Sequence, residues 1–121
     1  MALHNELGKR GEKLAEDYLR KNGYRIIECN WTFGKYEIDI IASVPGFIVF
    51  IEVKTRSSAI WGNPEDAISR TRIKRLVEAA DFYIKEKDID GAVRFDVIAI
   101  VDNREVTEIE HIEDAFFAPV E

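Results

Sequence analysis

The stretch Tyr36 to Arg56, YEIDIIASVPGFIVFIEVKTR, constrains what this chain can fold into more than any other. Two apolar, β-branched runs flank Val44-Pro45-Gly46, the composition of two strands joined by a tight turn. The few charges inside those runs are Glu37 and Asp39 in the first, Glu52 and Lys54 in the second. Side chains alternate between faces along a strand, so each pair shares a face of its own strand. A hairpin symmetric about Pro45-Gly46 sets Asp39 opposite Glu52 and Glu37 opposite Lys54. A type II Pro-Gly turn matches strand twist less well than the primed turns, so a bulge or a longer loop can shift this register.

Two carboxylates opposed across an antiparallel pair repel one another. Inside an apolar hairpin such a pair calls for a cation, or for a raised pKa on one acid. Asp plus Glu with a nearby Lys suits a hard divalent ion, which leaves coordination positions for water and phosphate oxygens. Two readings therefore fit: a metal or catalytic site, and a cross-strand salt bridge. The setting is informative, because Glu52-Val53-Lys54 ends the run Phe47 to Ile51, whose continuous apolar character is that of a buried central strand.

A chain of 121 residues fits a single domain spanning 1–121. Its 46% hydrophobic and 33% charged content is that of a soluble globular protein. No run approaches the ~18 apolar residues that would span a membrane. The start, MALHNELGKRGEK, has no apolar signal region, and the one cysteine, Cys29, excludes an internal disulfide or a Cys-rich metal site. Together these favour the cytoplasm and no membrane partner. The net charge of −6 is the wrong sign for coating nucleic acid through bulk electrostatics. Positive charge is concentrated, however, at Arg70, Arg72, Lys74 and Arg75, and at Lys54 and Arg56. Such a local patch can position a phosphate backbone. On charge alone a solvated helix face is the better reading of the four clustered residues.

Asn5 to Lys21 carries Leu7, Gly11, Leu14, Ala15, Tyr18 and Leu19 at helical spacing, and Asn22-Gly23 stops it. Gly11 on the apolar stripe predicts close approach of the helix backbone to a sheet. Glu12, at the edge of that stripe, is either solvated or reaches over the sheet. Tyr24 to Trp31 reads as a strand. Asn63-Pro64-Glu65-Asp66 is a helix start, with Ile73, Leu76, Val77, Ala80, Tyr83 and Ile84 as the stripe that follows and Asp90-Gly91 as its end. Val93 to Val101 is a further strand, followed by a short strand near Arg104 to Ile109 and a helical turn around Glu113 to Phe117. A helix between the central strand and the Val93 strand is the crossover that a parallel pair needs. The expected fold is α/β, an α-β-β-β-α-β core with a mixed sheet flanked by helices. His4 and His111 read as surface residues, and no Ser-His-Asp or Cys-His arrangement is legible.

In this order and spacing the chain resembles the uncharacterised bacterial YraN family. That family is in turn similar to archaeal Holliday-junction resolvases and the PD-(D/E)xK, restriction-endonuclease-like superfamily. The matching pieces are Gly11-Glu12, Glu37-Ile38-Asp39 with Ile41, and Phe50 through Arg56. They continue with Gly62-Asn63-Pro64, Lys74, Arg94-Phe95-Asp96 and His111-Ile112. Tyr36 stands where the family pattern generally has Gly, so a bulky ring is expected to narrow the site or to pack over a ligand. The resemblance implies a metal-dependent endonuclease hydrolysing phosphodiester bonds in DNA, branched or damaged DNA included. It also admits a non-catalytic nucleic-acid-binding module that keeps the fold. Asp39, Glu52 and the Val53 carbonyl would hold Mg²⁺ or Mn²⁺, with Lys54 orienting water or stabilising phosphate charge and Glu12 completing the acidic cluster. Arg56, Arg70, Arg72, Lys74 and Arg75 would contact nucleic acid, with Lys74 foremost. Nucleic acid, DNA first, is the expected partner, and a homodimer is left open.

Overall fold

The computed structural model describes residues 2–57, 69–103 and 105–116, with side chains from Glu6 onward. Its elements are α1 (Ala2–Lys21), β1 (Arg25–Phe33), β2 (Tyr36–Val44), β3 (Phe47–Arg56), α2 (Arg70–Glu86), β4 (Ala92–Asp102) and β5 (Thr107–Ile112). The expected start of the second helix at Asn63 to Asp66 lies outside the described residues, as do the Gly62-Asn63-Pro64 piece, the His4 side chain, Arg104 and Phe117.

The hairpin forms in the register its turn dictates. Val44 pairs with Phe47 across Pro45-Gly46, and the ladder continues through Ser43–Ile48, Ala42–Val49 and Ile41–Phe50 to Ile40–Ile51. Gly46 supplies the left-handed φ of 89° that follows Pro in such a turn. The five strands lie in the order β1-β2-β3-β4-β5, so β3 is central. The β3–β4 pair is parallel and the other three are antiparallel. α2 is the crossover between the two parallel strands. The α-β-β-β-α-β order and the mixed sheet agree with the sequence.

Each helix buries its stripe on a different face. Ala15 and Leu19 of α1 pack with Ile40, Ala42, Val49, Ile51, Ile98 and Ile100. Leu76, Ala79, Ala80 and Tyr83 of α2 pack with Ile38, Ile41, Phe50 and Phe95 on the other. A Cβ on Gly11 would stand 1.8 Å from Thr55 Oγ1, so the missing side chain is what lets α1 lie directly on β3. α1 ends at Lys21, where the Gly23 and Tyr24 amides bond back to the Arg20 and Leu19 carbonyls. α2 ends earlier than Asp90-Gly91: Asp88 takes φ 52°, and the Asp88 and Ile89 amides close onto Lys85 and Ile84.

Two further expectations are corrected. Glu113 and Asp114 form a turn and Ala115 and Phe116 follow it without regular structure, because the Asp114 and Ala115 amides bond to the Asp96 side chain and the Phe95 carbonyl and leave no helical ladder to form. His111 is not a surface residue, since its side chain is 5% exposed. Its Nε2 lies 2.6 Å from Asp96 Oδ2, and its Nδ1 lies 3.2 Å from the Tyr18 hydroxyl. Asp96 is fully buried and also takes both Arg94 Nε and Nη2, at 2.9 and 2.8 Å. Burial pushes the Asp96 carboxyl up, but the bonds from His111, Arg94 and the Asp114 amide together outweigh it and hold the group below the ordinary range. Arg94 also donates to the Tyr24 hydroxyl. This network fastens α1, β4 and β5 together.

Candidate active site

The β2–β3 ladder stops at Ile40–Ile51, and beyond it the sheet forks. β2 stays with β1 down to the Phe33–Tyr36 pair, while β3 stays with β4 out to Arg56–Val101. Asp39 and Glu52 are the first residues past the last hairpin pair, so they stand in the crotch of the fork. Glu37 and Lys54 are consequently not opposed: Glu37 pairs with Thr32 of β1 and Lys54 with Ala99 of β4. Mutual repulsion of two carboxylates at adjacent positions favours such a parting.

A second irregularity falls at the same place. Ile38 packs on the α2 side and Ile40 on the α1 side, although strict alternation would put both on one face. Across from Asp39, between the Cys29–Ile40 and Trp31–Ile38 pairs, Asn30 adopts φ 53°. The side-chain alternation therefore slips at Asp39. The carboxylate turns into the fork, where Oδ2 accepts the Val53 N–H at 2.8 Å. The N–H and C=O of one strand residue leave on the same edge, so the Val53 carbonyl also faces the fork.

Glu12 of α1 and Arg72 of α2 approach from opposite sides. Asp39 and Glu12 line a cleft of about 310 Å³ with Lys9, Lys13, Glu16, Cys29, Asn30 and Ile40. Glu52 is buried and paired: Arg72 Nε reaches Oε2 at 2.9 Å and Nη2 reaches Oε1 at 2.8 Å. Burial pushes the Asp39 carboxyl up to about 7, the Glu52 and Glu12 charges add to this, and the Val53 amide and Arg72 oppose it. Lys54 follows Glu52 on the same face of β3 and makes no ion pair among the described residues.

The basic residues divide. Arg72 alone of the α2 cluster reaches the fork. Arg70, Lys74 and Arg75 are exposed, and Arg56 is half-buried at the end of β3. Tyr36 leans away from the α1-side cleft, with its hydroxyl on Glu78 at 3.1 Å and its ring against Phe82. Sequence reasoning missed Arg72 as the partner of Glu52, and it missed Lys9 and Lys13 on the cleft rim. One signal was available for Arg72. Ser69 caps α2 by accepting the Arg72 amide, and a Ser cap usually has Glu or Gln three residues on to return the bond. Arg cannot return it, and α2 has no acid in its first turn to meet the helix dipole. The Arg72 side chain is left to find an acid elsewhere.

Among the described residues, no three His, Cys, Asp or Glu side chains converge into a preformed cation site. The donors that face the fork are nonetheless of the right kind for a hard divalent ion: two carboxylates and a backbone carbonyl, with Glu12 near enough to act on Asp39. Among those residues no helix is long and apolar enough to cross a membrane.

Fold and site together define an α/β protein whose mixed sheet opens around a buried acid pair. The chain belongs to the family described as "Uncharacterised protein family UPF0102", whose model matches residues 11–100. The YraN family is this family. A UPF0102 protein of Christiangramia forsetii is 50% identical over 117 residues, 97% of this chain and 98% of the relative. One from Phocaeicola vulgatus is 45% identical and one from Bacteroides thetaiotaomicron 46%, each over 120 residues and 99% of both chains.

Proposed function

We propose that this protein is a Mg²⁺- or Mn²⁺-dependent endonuclease that hydrolyses phosphodiester bonds in DNA, branched or damaged DNA included. The observation that carries this reading is the placement of Asp39 and Glu52 together, buried, at the one point where the central strands part. Buried acids side by side raise the cost of folding, and a cation offsets it. Asp39, Glu52 and the Val53 carbonyl would hold the ion. An ion there supplies charge neutralisation of the phosphate and a lower pKa for the attacking water. Lys54, on the face of Glu52, directs its ammonium toward the phosphate or the water. Glu12 adds acceptor oxygens for that water from the α1 side. The exposed Arg70, Lys74 and Arg75 contact the backbone outside the site, and Arg56 does so from the end of β3.

The test is single-turnover cleavage of branched and linear duplexes with Mn²⁺, with and without EDTA, by wild type and Asp39→Asn. Cleavage that needs metal and Asp39 is expected. Metal-independent or Asp39-independent cleavage would remove the assignment. A second reading, a nucleic-acid-binding module without catalysis, draws on the Arg72–Glu52 pair, which neutralises Glu52 with no metal at all. Tight binding of branched DNA with no cleavage under any metal would favour it.

A further inference from the structure

We propose that Arg72 is a displaceable counter-cation: it neutralises Glu52 until a divalent ion takes that carboxylate, and it then turns to the phosphate of the bound strand. This rests on the metal site proposed above and concerns how that site is kept when empty of metal.

Among the described residues, two ion pairs join an arginine to a buried acid by two nitrogens, and they are built differently. Arg94, with a side chain only 12% exposed, is held by Asp96, the Tyr24 hydroxyl and Glu113, while Asp96 is further fixed by His111 and the Asp114 amide. That pair has nowhere to go. Arg72 is 30% exposed, and among the described residues its side chain bonds the two oxygens of Glu52 and, at a long 3.4 Å, the Glu37 carbonyl. Its Cα lies in the first turn of α2, where the helix dipole disfavours a cation. The Glu52 carboxylate offsets that cost, and so would a phosphate.

Charge makes the exchange competitive. An arginine cannot lose its proton, so it always brings a full positive charge to Glu52. A divalent ion on the same carboxylate brings two more within a few ångströms, in surroundings that screen poorly. The guanidinium fork that fits a carboxylate fits a phosphate equally well, so the displaced Arg72 has a matching partner wherever a nucleic-acid backbone lies over the fork. By linkage, metal should then strengthen DNA binding partly through Arg72, and DNA should strengthen metal binding by the same factor.

The test is calorimetric titration of Mn²⁺ into wild type, Arg72→Ala and Arg72→Gln, each checked for native helix content. A paired fluorescence titration of a branched duplex follows, with and without Ca²⁺ as a non-cleaving ion. Freed of its competitor, the Ala variant should bind Mn²⁺ roughly 10- to 100-fold more tightly, the scale of losing hydrogen bonds to a charged group. The Gln variant should follow in the same direction and serves alone if the Ala variant does not fold. Ca²⁺ should steepen the salt dependence of DNA binding by about one phosphate contact in wild type and not in the variants. Equal or weaker Mn²⁺ affinity in the variants, with wild type binding, would overturn the exchange while leaving the metal site standing. No Mn²⁺ binding by any of the proteins would overturn both.

Discussion

The Val53 N–H donates to Asp39 Oδ2 at 2.8 Å, so a side chain takes the place that the Ile38 carbonyl would hold if the hairpin register ran on two pairs past Ile40–Ile51. This bond ends the hairpin ladder without orphaning a buried amide, and it fixes the Asp39 carboxyl beside Glu52.

The relationship has a pH signature. Asp39 titrates at about 3.9 in an unfolded chain and is pushed up to about 7 here, mainly by burial and then by Glu52. The folded state therefore holds more protons than the unfolded state between those values, and stability falls as pH rises through that window. Asp39→Asn keeps an oxygen for the Val53 amide and loses the charge. Urea unfolding of both proteins at pH 4, 5.5 and 8 should show the variant gaining on wild type as pH rises. The gain should reach a few kcal/mol, roughly 1.4 for each pH unit that separates the folded and unfolded titrations. A pH-independent difference would contradict it. Mn²⁺ should raise the wild-type melting temperature more at pH 8 than at pH 5.5, because the proposed ion would be held by the ionised pair.

Gly11→Ala tests the seating of α1. The new methyl would meet Thr55 Oγ1 at 1.8 Å and Thr55 Cβ and Cγ2 at 2.8 Å, so the helix must lift or β3 must shift. A loss of about 1–3 kcal/mol is expected in denaturant unfolding, the usual scale of overpacking. Glu12 moves with the helix, so Mn²⁺ affinity should fall as well. Thr55→Ser combined with Gly11→Ala should restore little, since Cβ remains in the way.

The Arg94–Asp96–His111 network is expected to be structural. Asp96→Asn leaves the enclosed Arg94 with only the exposed, more distant Glu113 as counter-charge and should cost about 3–5 kcal/mol near neutral pH. The Asp96 carboxyl is held low, so its contribution is complete above about pH 4, the unfolded value, and is lost as pH falls through the folded one. Unfolding curves of wild type and variant should converge in acid. DNA binding by the folded fraction should be unchanged.

Lys54 separates catalyst from binder. Lys54→Met should fold and bind branched DNA like wild type yet lose roughly 10²–10⁴ in single-turnover rate, the usual scale of general acid–base or electrostatic assistance. Equal rates in the two proteins would place any cleavage outside this site.

The α2 cations separate by salt dependence. Changing Arg70, Lys74 and Arg75 to Ala should flatten the plot of log affinity against log salt, by about 0.9 for each residue that neutralises a phosphate of duplex DNA. An unchanged slope would make these residues a solvated helix face.

Sequence by itself determined the hairpin, and symmetry about Pro45-Gly46 set the register that holds from Val44–Phe47 to Ile40–Ile51, but the opposition of Glu37 and Lys54 beyond it did not form. It determined the seat of α1 through Gly11, the central place of β3 through its unbroken apolar run, and the acids Asp39 and Glu52 as neighbours. These are local or period-based properties, legible from spacing. Tertiary structure decided the rest. The fork appears only when β2 and β3 each find a second strand to follow, and the slip at Asp39 appears only with Asn30 across from it. The His111 side chain became enclosed because Asp96 and Tyr18, away from it in sequence, close around it. Arg72 met Glu52 because the crossover brings the first turn of α2 to the fork, where its side chain reaches Glu52 of β3 and the Glu37 carbonyl of β2. Long charged side chains take their partners from whatever the packing brings within reach, and one strand or helix pattern carries no record of the element packed against it.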